Sequence, residues 1–165
     1  MSVILGLLLL GGLGVALYSS NASGNPPAPA PRQTSAVPIG LRNNNPGNLR
    51  PSDRFTWNGQ VGVENGYVVF DTLEHGVRAA YINLRTYFSN GFNTVESIIA
   101  RWAPDEDNNP TDSYILFVSV RTGFPANRIL TFDRPTAYKL LSAMFRFELG
   151  QEIAPDVINR GIDLA

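Results

Sequence analysis

The sequence has no cysteine, a single histidine and no segment of the form Gly-x-Ser-x-Gly, and each shortage excludes a class of enzyme. Without cysteine there is no disulfide framework, no thiol nucleophile and no cysteine-based zinc site. With His75 as the one histidine, a zinc hydrolase would need a nearly all-carboxylate site, which is atypical of zinc. The missing glycine-serine motif removes the signature of a serine hydrolase.

The chain also lacks an excess of charge of either sign. Charged residues make up 16% of it, and 13 basic against 14 acidic side chains give a formal net charge of -1. Nucleic-acid-binding proteins rely on clustered lysine and arginine, whereas the basic residues here are scattered, so we expect no nucleic-acid partner. Residues 39–165 are numerous enough to bury a core unaided, so we expect no cofactor and no metal.

The N-terminal segment is the longest apolar run. Residues 3–18 contain no charged side chain, and a helix of about 18 residues spans roughly 27 Å, close to the core of a thin bilayer. A cleaved signal peptide, with Ser20-Asn21-Ala22 as a small-x-small site, is one interpretation. No basic residue precedes Arg32, which favours a retained anchor. We therefore predict a transmembrane helix at 1–20, placing the protein in a membrane, either that of a virion or the host inner membrane facing the periplasm.

A proline-rich segment follows the apolar run. Residues 21–38 contain five prolines and almost no large apolar side chain, so they cannot bury enough surface to fold. We predict an extended linker at 21–38 and one domain at 39–165.

The domain itself is predicted to be mainly α (α+β), with a small β-hairpin. Asparagine and Pro-Gly in 41–50 indicate tight turns, and the β-prone run at 67–70 predicts an irregular hairpin within 57–70. Asp71 with Glu74 is typical of a capping box that opens a helix ending near Gly91. Further helices are predicted from Thr94 to Ala103, from Thr111 or Asp112 to Gly123, from Asp133 to Gly150, and from about Pro155.

Glu148 is the first candidate for chemistry. It lies in the last predicted turn before Gly150, among apolar neighbours. The helix dipole and the loss of water would both raise the pKa of its carboxyl, as a glycosidic general acid requires. A solvated glutamate at a frayed helix end, or a structural hydrogen bond, would explain the same position.

Two other glutamates are rivals for that role. Glu74 is explained by the capping box, and Glu64 is explained as an exposed acid in a Glu-Asn-Gly turn. Either could instead be a second catalytic carboxylate facing a cleft.

Aromatic and amide side chains are the candidates for substrate binding. Large amphipathic rings stack on sugar faces, although most aromatics belong to the core; the candidates are Trp57, Tyr67, Trp102 and Tyr114. Amides can pair with N-acetyl groups, although building turns would explain at least half of them; the candidates are Asn43, Asn44, Asn45 and Asn48.

Taken together, five motifs in fixed order resemble a family of phage and prophage virion-associated lytic proteins. They are RNNNPGNLR at 42–50, WNGQ at 57–60, FDTLEHGVRA at 70–79, RWAP at 101–104 and FELG at 147–150. The resemblance covers Ile39 to Gly150, and Leu149 replaces the asparagine of the family's usual Glu-Asn-Gly. It implies a lysozyme-like fold, peptidoglycan as substrate and Glu148 as the catalytic carboxyl.

The activity implied by the resemblance is cleavage of the glycan strand by a lytic transglycosylase or muramidase, as the phage genome enters the cell or during lysis. Because the family includes a murein endopeptidase, cleavage of the stem peptide is an alternative. A non-catalytic, membrane-anchored structural protein that contacts other virion proteins is another alternative.

In lytic transglycosylases the asparagine-rich segment follows the catalytic glutamate. Here it precedes Glu148, so a permuted site is expected to bring Glu148 close to residues 43–48.

Overall fold

The computed structural model describes residues 37–165 except Asn108, and this part of the chain is mainly helical with one small hairpin. The helices are α1 (Ile39–Arg42), α2 (Leu73–Ser89), α3 (Val95–Trp102), α4 (Thr111–Thr122), α5 (Arg134–Leu149) and α6 (Pro155–Asp163); the strands are β1 (Gln60–Glu64) and β2 (Tyr67–Phe70). The predicted fold class is confirmed at this level. The predicted linker, apart from its last two residues, lies outside the described residues.

The asparagine-rich segment forms a folded turn beside the hairpin. It follows α1, a short helix that the sequence did not predict. Asn44 and Asn48 have φ angles of 50° and 49°, a left-handed conformation that asparagine tolerates better than most residues. Asn45 is fully buried, and its Nδ2 donates to the carbonyls of Leu49 and Val68, both at 2.9 Å. The segment is therefore tied to β2.

The hairpin is antiparallel, and its register changes between Gln60 and Gly62. This confirms the predicted irregular hairpin. Its turn lies at Asn65 and Gly66, with φ angles of 51° and 82°. In β2 the alternate side chains Val68 and Phe70 are almost fully buried, so one face of the hairpin joins the core.

Helix caps follow the sequence at some positions and not at others. Thr94 forms a capping box with Ser97, and the Asp133 side chain accepts from the Thr136 N–H, as cap positions require. The predicted Asp71–Glu74 capping box is wrong, because Thr72 is the N-cap of α2. Asp71 instead binds His75 Nδ1 at 2.6 Å.

The start of α4 also differs from the prediction. Its N-cap is Pro110, and no side chain caps the helix. Thr111 Oγ1 instead donates to the Ala103 carbonyl at 2.6 Å. This bond connects the first turn of α4 to the end of α3.

Helix α5 packs in the core and positions the side chain of Glu148. It buries Leu141, Met144 and Phe145 almost completely. Glu148 follows Met144 by four positions and Phe145 by three, so it lies on the same face of the helix. Gly150 ends α5 with a φ of 68°, as predicted. Leu149 is also buried and contacts α1 at Gly40.

The predicted localisation requires a correction. Within the described residues, no helix combines the length and apolarity that crossing a membrane demands. The longest, α2, has 17 residues and carries Glu74, Arg78 and Arg85. The predicted membrane localisation is therefore not supported by any helix that the structure describes, and the predicted helix at 1–20 lies outside the described residues.

Candidate active site

A cleft of about 370 Å³ contains Glu148 in its lining. One group of lining residues comes from the asparagine-rich segment, the chain after it and β2: Gly47, Asn48, Leu49, Arg50, Phe55, Trp57 and Tyr67. A second group comes from α2, the end of α3 and the following loop: Asn83, Tyr87, Arg101, Trp102, Ala103, Pro104, Asp107 and Asn109. Five residues singled out from the sequence thus share one cavity: Glu148, Asn48, Trp57, Tyr67 and Trp102.

Three uncharged donors hold the carboxyl of Glu148. Asn48 Nδ2 donates to Oε2 at 2.9 Å, while Trp102 Nε1 and Tyr114 Oη donate to Oε1 at 3.3 and 3.0 Å. The bond to Asn48 confirms the expected proximity of Glu148 to the asparagine-rich segment. None of the ion pairs in the described part of the chain involves Glu148.

The environment of Glu148 favours its protonated form. Burial removes water from the carboxylate and raises its pKa above that of an ordinary glutamate. The hydrogen bonds from Asn48, Tyr114 and Trp102 favour the ionised form and oppose this effect, but burial is the larger influence. The carboxyl therefore keeps its proton to higher pH than a solvated glutamate would.

Tyr114 supports the carboxyl from inside the protein. Only 1% of its surface is exposed, so it is not available to stack on a sugar, as the sequence had suggested it could be. Its hydroxyl lies 3.0 Å from Glu148 Oε1 and 3.3 Å from the Met144 carbonyl, and its single proton can serve one of them at a time. Burial first, and then the nearby Glu148 carboxyl, raise the pKa of Tyr114 well above its usual range. The phenol therefore remains a neutral donor.

Trp102 is positioned by close contact with a glycine. A Cβ on Gly47 would lie 2.6 Å from Trp102 Cζ2, closer than two carbon atoms can approach without something moving. The absence of a side chain at residue 47 allows the indole to reach Glu148. The asparagine-rich turn and the end of α3 thus jointly fix the donor.

The remaining aromatic candidates lie in the cleft lining. Trp57 packs edge-on against Phe55, with ring centroids 4.7 Å apart. Phe55 is 50% exposed, whereas Trp57 and Tyr67 are partly buried. Aromatic rings that pack against a neighbouring ring and remain partly exposed are suited to stacking on sugar faces.

The two rival glutamates lie elsewhere. Glu74 is not in the cleft lining and accepts from Arg160 Nε and Nη2 at 3.1 and 2.9 Å. A hydrogen bond from its own backbone N–H, followed by Arg160, lowers the pKa of Glu74. Glu64 lies in β1, exposed, with Arg42 Nη2 at 3.9 Å. The structure does not bring either carboxyl together with Glu148.

Three of the four asparagine candidates have positions outside the cleft lining. Asn43 and Asn45 are buried, and Asn44 Nδ2 donates to the carbonyl of Phe70 at 3.0 Å. Gly76 in α2 packs directly on this segment, because a Cβ there would lie 1.9 Å from the Asn44 carbonyl oxygen. These amides belong to the turn, and Asn48 is the one that reaches the cleft.

Several lining residues were not anticipated from the sequence. Asn83 and Tyr87 are four residues apart on α2, and Asn83 Nδ2 donates to Tyr87 Oη at 3.4 Å. Their i, i+4 spacing was a usable signal for a shared helix face. Arg50 ends the motif at 42–50 and Arg101 begins the motif at 101–104, but neither was singled out as a site residue, because a single exposed arginine gives no pattern of its own. No group of three or more potential metal-ligating side chains occurs among the residues that the structure describes.

Comparison with known proteins identifies one phage relative. No protein-family model matches the chain. The chain is 37% identical over 139 residues to Protein P5 of Pseudoalteromonas phage PM2, and this alignment covers 81% of the chain and 85% of that protein.

Proposed function

The chain belongs to the family of Protein P5 of Pseudoalteromonas phage PM2, and we propose that it cleaves the glycan strand of peptidoglycan as a lytic transglycosylase. Its fold would be lysozyme-like, and its activity would serve the phage when the genome enters the cell or during lysis. The observation that carries the proposal is the half-buried Glu148 carboxyl, held by three neutral donors beside an aromatic-lined cleft. The motif resemblance to virion-associated lytic proteins supports the same function.

The hydrogen bonds indicate where the transferable proton would reside. A carboxylate offers about four acceptor positions. Trp102 and Tyr114 use Oε1, and Asn48 uses one position on Oε2. The remaining position on Oε2 is where we place the proton that Glu148 donates to the glycosidic oxygen.

The alternative to transglycosylation is hydrolysis assisted by a second carboxylate. Among the described lining residues, Asp107 is the one other acid, and Arg50 Nη2 lies 3.6 Å from its Oδ2. With Glu148 acting alone, the N-acetyl group of the substrate would displace the protonated leaving oxygen. The C6 hydroxyl would then bond to the anomeric carbon as the N-acetyl oxygen leaves that carbon, and its proton would return to Glu148, so an anhydro-sugar forms and no water is consumed.

Digestion of purified peptidoglycan by the full chain, analysed by mass spectrometry, tests the proposal. Anhydro-muropeptides are the expected products, and a zymogram should show clearing. Reducing-end muropeptides would indicate hydrolysis, and intact glycan strands that carry cut stem peptides would indicate an endopeptidase. If wild type gives no product and no clearing, the non-catalytic alternative is correct. Glu148→Gln should yield no products, whereas Glu96→Gln, an exposed acid at the start of α3, should match wild type.

A further inference from the structure

Two arginines line the same cleft as Glu148, and neither has a part in the proposed acid chemistry. Arg50 and Arg101 are both exposed. The other charged lining groups in the described chain are Asp107 and Glu148. When Glu148 holds its proton, the cleft therefore has two positive charges against one negative charge, although the whole chain has a formal net charge of -1.

The two guanidinium groups are available to a ligand. Arg50 Nη2 lies 3.6 Å from Asp107 Oδ2, which is longer than a charge-assisted hydrogen bond, so a ligand could compete for it. Arg101 takes part in none of the ion pairs between described residues. Its backbone carbonyl accepts from Tyr87 Oη at 3.4 Å, which holds the end of α3 against α2.

A neutral sugar polymer offers these cations hydroxyl and amide oxygens but no opposite charge. Peptidoglycan differs, because every second sugar carries a lactyl group to which an acidic stem peptide is attached. Guanidinium groups are well matched to carboxylates, since their planar array of donors fits two oxygens at once. The cleft thus combines rings suited to sugar faces with cations suited to an acidic substituent.

We infer that Arg101, assisted by Arg50, binds a carboxylate on the lactyl substituent and makes the cleft select acidic glycan strands over neutral ones. The inference rests on the proposed function and specifies its substrate. The carboxylate has two sources: the stem peptide, or the lactyl group itself once a peptide has been removed.

Tryptophan fluorescence provides a binding assay that does not depend on turnover. The chain has two tryptophans, and both Trp57 and Trp102 line the cleft. The experiment uses the full chain carrying Glu148→Gln, so that no probe is cleaved. Three soluble tetrasaccharide probes are titrated: one with acidic stem peptides, one with the stem carboxylates amidated, and one without peptide but with free lactyl carboxylates.

The acidic-peptide or the peptide-free probe should bind about tenfold more tightly than the amidated probe, the difference that one charge-assisted contact provides. Arg101→Gln should remove this preference, and 0.5 M salt should weaken it by screening. Arg85→Gln, an exposed helical arginine outside the cleft lining, should leave it unchanged. Whichever of the two carboxylate probes binds more tightly identifies the source.

Equal affinity for all three probes, or a preference that survives Arg101→Gln, would overturn the inference while leaving the proposed function intact. If no probe changes the fluorescence of Trp57 and Trp102, the inference fails, and the digestion of purified peptidoglycan decides the proposed function separately. If wild type gives no cleavage products but the acidic preference is present and requires Arg101, the binding inference stands and the catalytic proposal fails.

Discussion

Glu148 and Glu74 are both glutamates on helices packed into the same domain, yet their surroundings have opposite effects. Glu148 meets an amide, an indole and a phenol, and burial raises its pKa. Glu74 accepts from its own backbone N–H and then from the guanidinium of Arg160, and both bonds lower its pKa. Both carboxyls have several hydrogen bonds, so the number of bonds does not distinguish them. The loss of water around Glu148 distinguishes the two carboxyls first, and the positive charge that Arg160 places beside Glu74 adds to the difference.

A protein that must keep a proton on a carboxyl can therefore anchor it with neutral donors and exclude water, whereas a protein that needs a fixed anion supplies a cation. The neutral donors orient Glu148 and lower its pKa by less than burial raises it, so the loss of water remains the larger influence. The ion pair at Glu74, which connects α2 to Arg160 of α6, serves the fold.

The largest expected contrast between the two sites is in catalysis. Glu148→Gln should reduce the rate of strand cleavage by roughly 10² to 10⁴, the usual contribution of a general acid. Glu74→Gln should leave the rate within about twofold of wild type, because Glu74 lies outside the cleft lining. Release of soluble muropeptides over time measures both. Comparable losses in the two variants would remove the distinction between the sites.

A smaller effect is expected from moving one neutral donor. In Gly47→Ala the new methyl would collide with Trp102 Cζ2, shift the indole and weaken its bond to Glu148. We expect the rate to fall about tenfold or more, since small misplacements of positioning groups are costly. Gly62→Ala is the matched control, because a Cβ there meets nothing within 4 Å. An unimpaired Gly47→Ala enzyme would show that the position of the indole is unimportant.

Removing the phenol should change the pH dependence. The hydrogen bond from Tyr114 lowers the pKa of Glu148, so Tyr114→Phe should raise it further. Activity is lost as Glu148 ionises, and the alkaline limb of the pH–rate profile should therefore move to higher pH. Tyr81→Phe, on α2 beside Phe132 and outside the cleft lining, is the control. An alkaline limb that stays in place or moves to lower pH would contradict the arrangement.

The smallest effects are on stability, and they should have opposite signs. The pKa of Glu148 is higher in the folded chain than in the unfolded chain. Its contribution to stability is therefore present below the unfolded-state pKa and is lost as the pH rises through the folded-state pKa. Glu148→Gln should therefore melt higher than wild type at pH 8, with a difference that shrinks near pH 4. Glu74 has a lowered pKa in the folded chain. Its contribution to stability is therefore present above the unfolded-state pKa and is lost as the pH falls through the folded-state pKa.

For that reason Glu74→Gln should melt slightly lower than wild type at pH 8, and this difference should also shrink as the pH falls. Exposed ion pairs contribute little, so we expect a small change. Thermal unfolding followed by circular dichroism across this pH range measures both variants. Melting shifts of the same sign in the two variants at pH 8 would refute the assignment.

The parts of the fold that depend on local sequence were predictable. Thr94, Asp133 and Gly150 mark helix ends through bonds within a few residues of themselves, and the sequence identified all three. Thr72 was missed, because a neighbouring Asp71 and Glu74 formed an equally plausible cap. The short helix α1 was missed because four residues carry too weak a periodic pattern.

The site was predictable only in part. Glu148 could be identified because its helix end and apolar neighbours are visible in the sequence. The contact of Tyr114 with Glu148 and the place of Arg101 in the cleft lining depend on how α3, α4 and α5 approach one another, and local sequence does not encode that. Asn45 and Asn48 look alike in the sequence, yet one is buried in a turn and the other binds Glu148.

The central claim is that Glu148, unlike Glu74, is built to keep a proton. Titration of the glutamate side-chain carboxyls by ¹³C NMR on the full chain, with Glu148→Gln and Glu74→Gln used to assign the two signals, tests this claim. We predict that Glu148 titrates above the ordinary glutamate value of 4.5 and Glu74 below it. A Glu148 midpoint at or below that of Glu74 would contradict it.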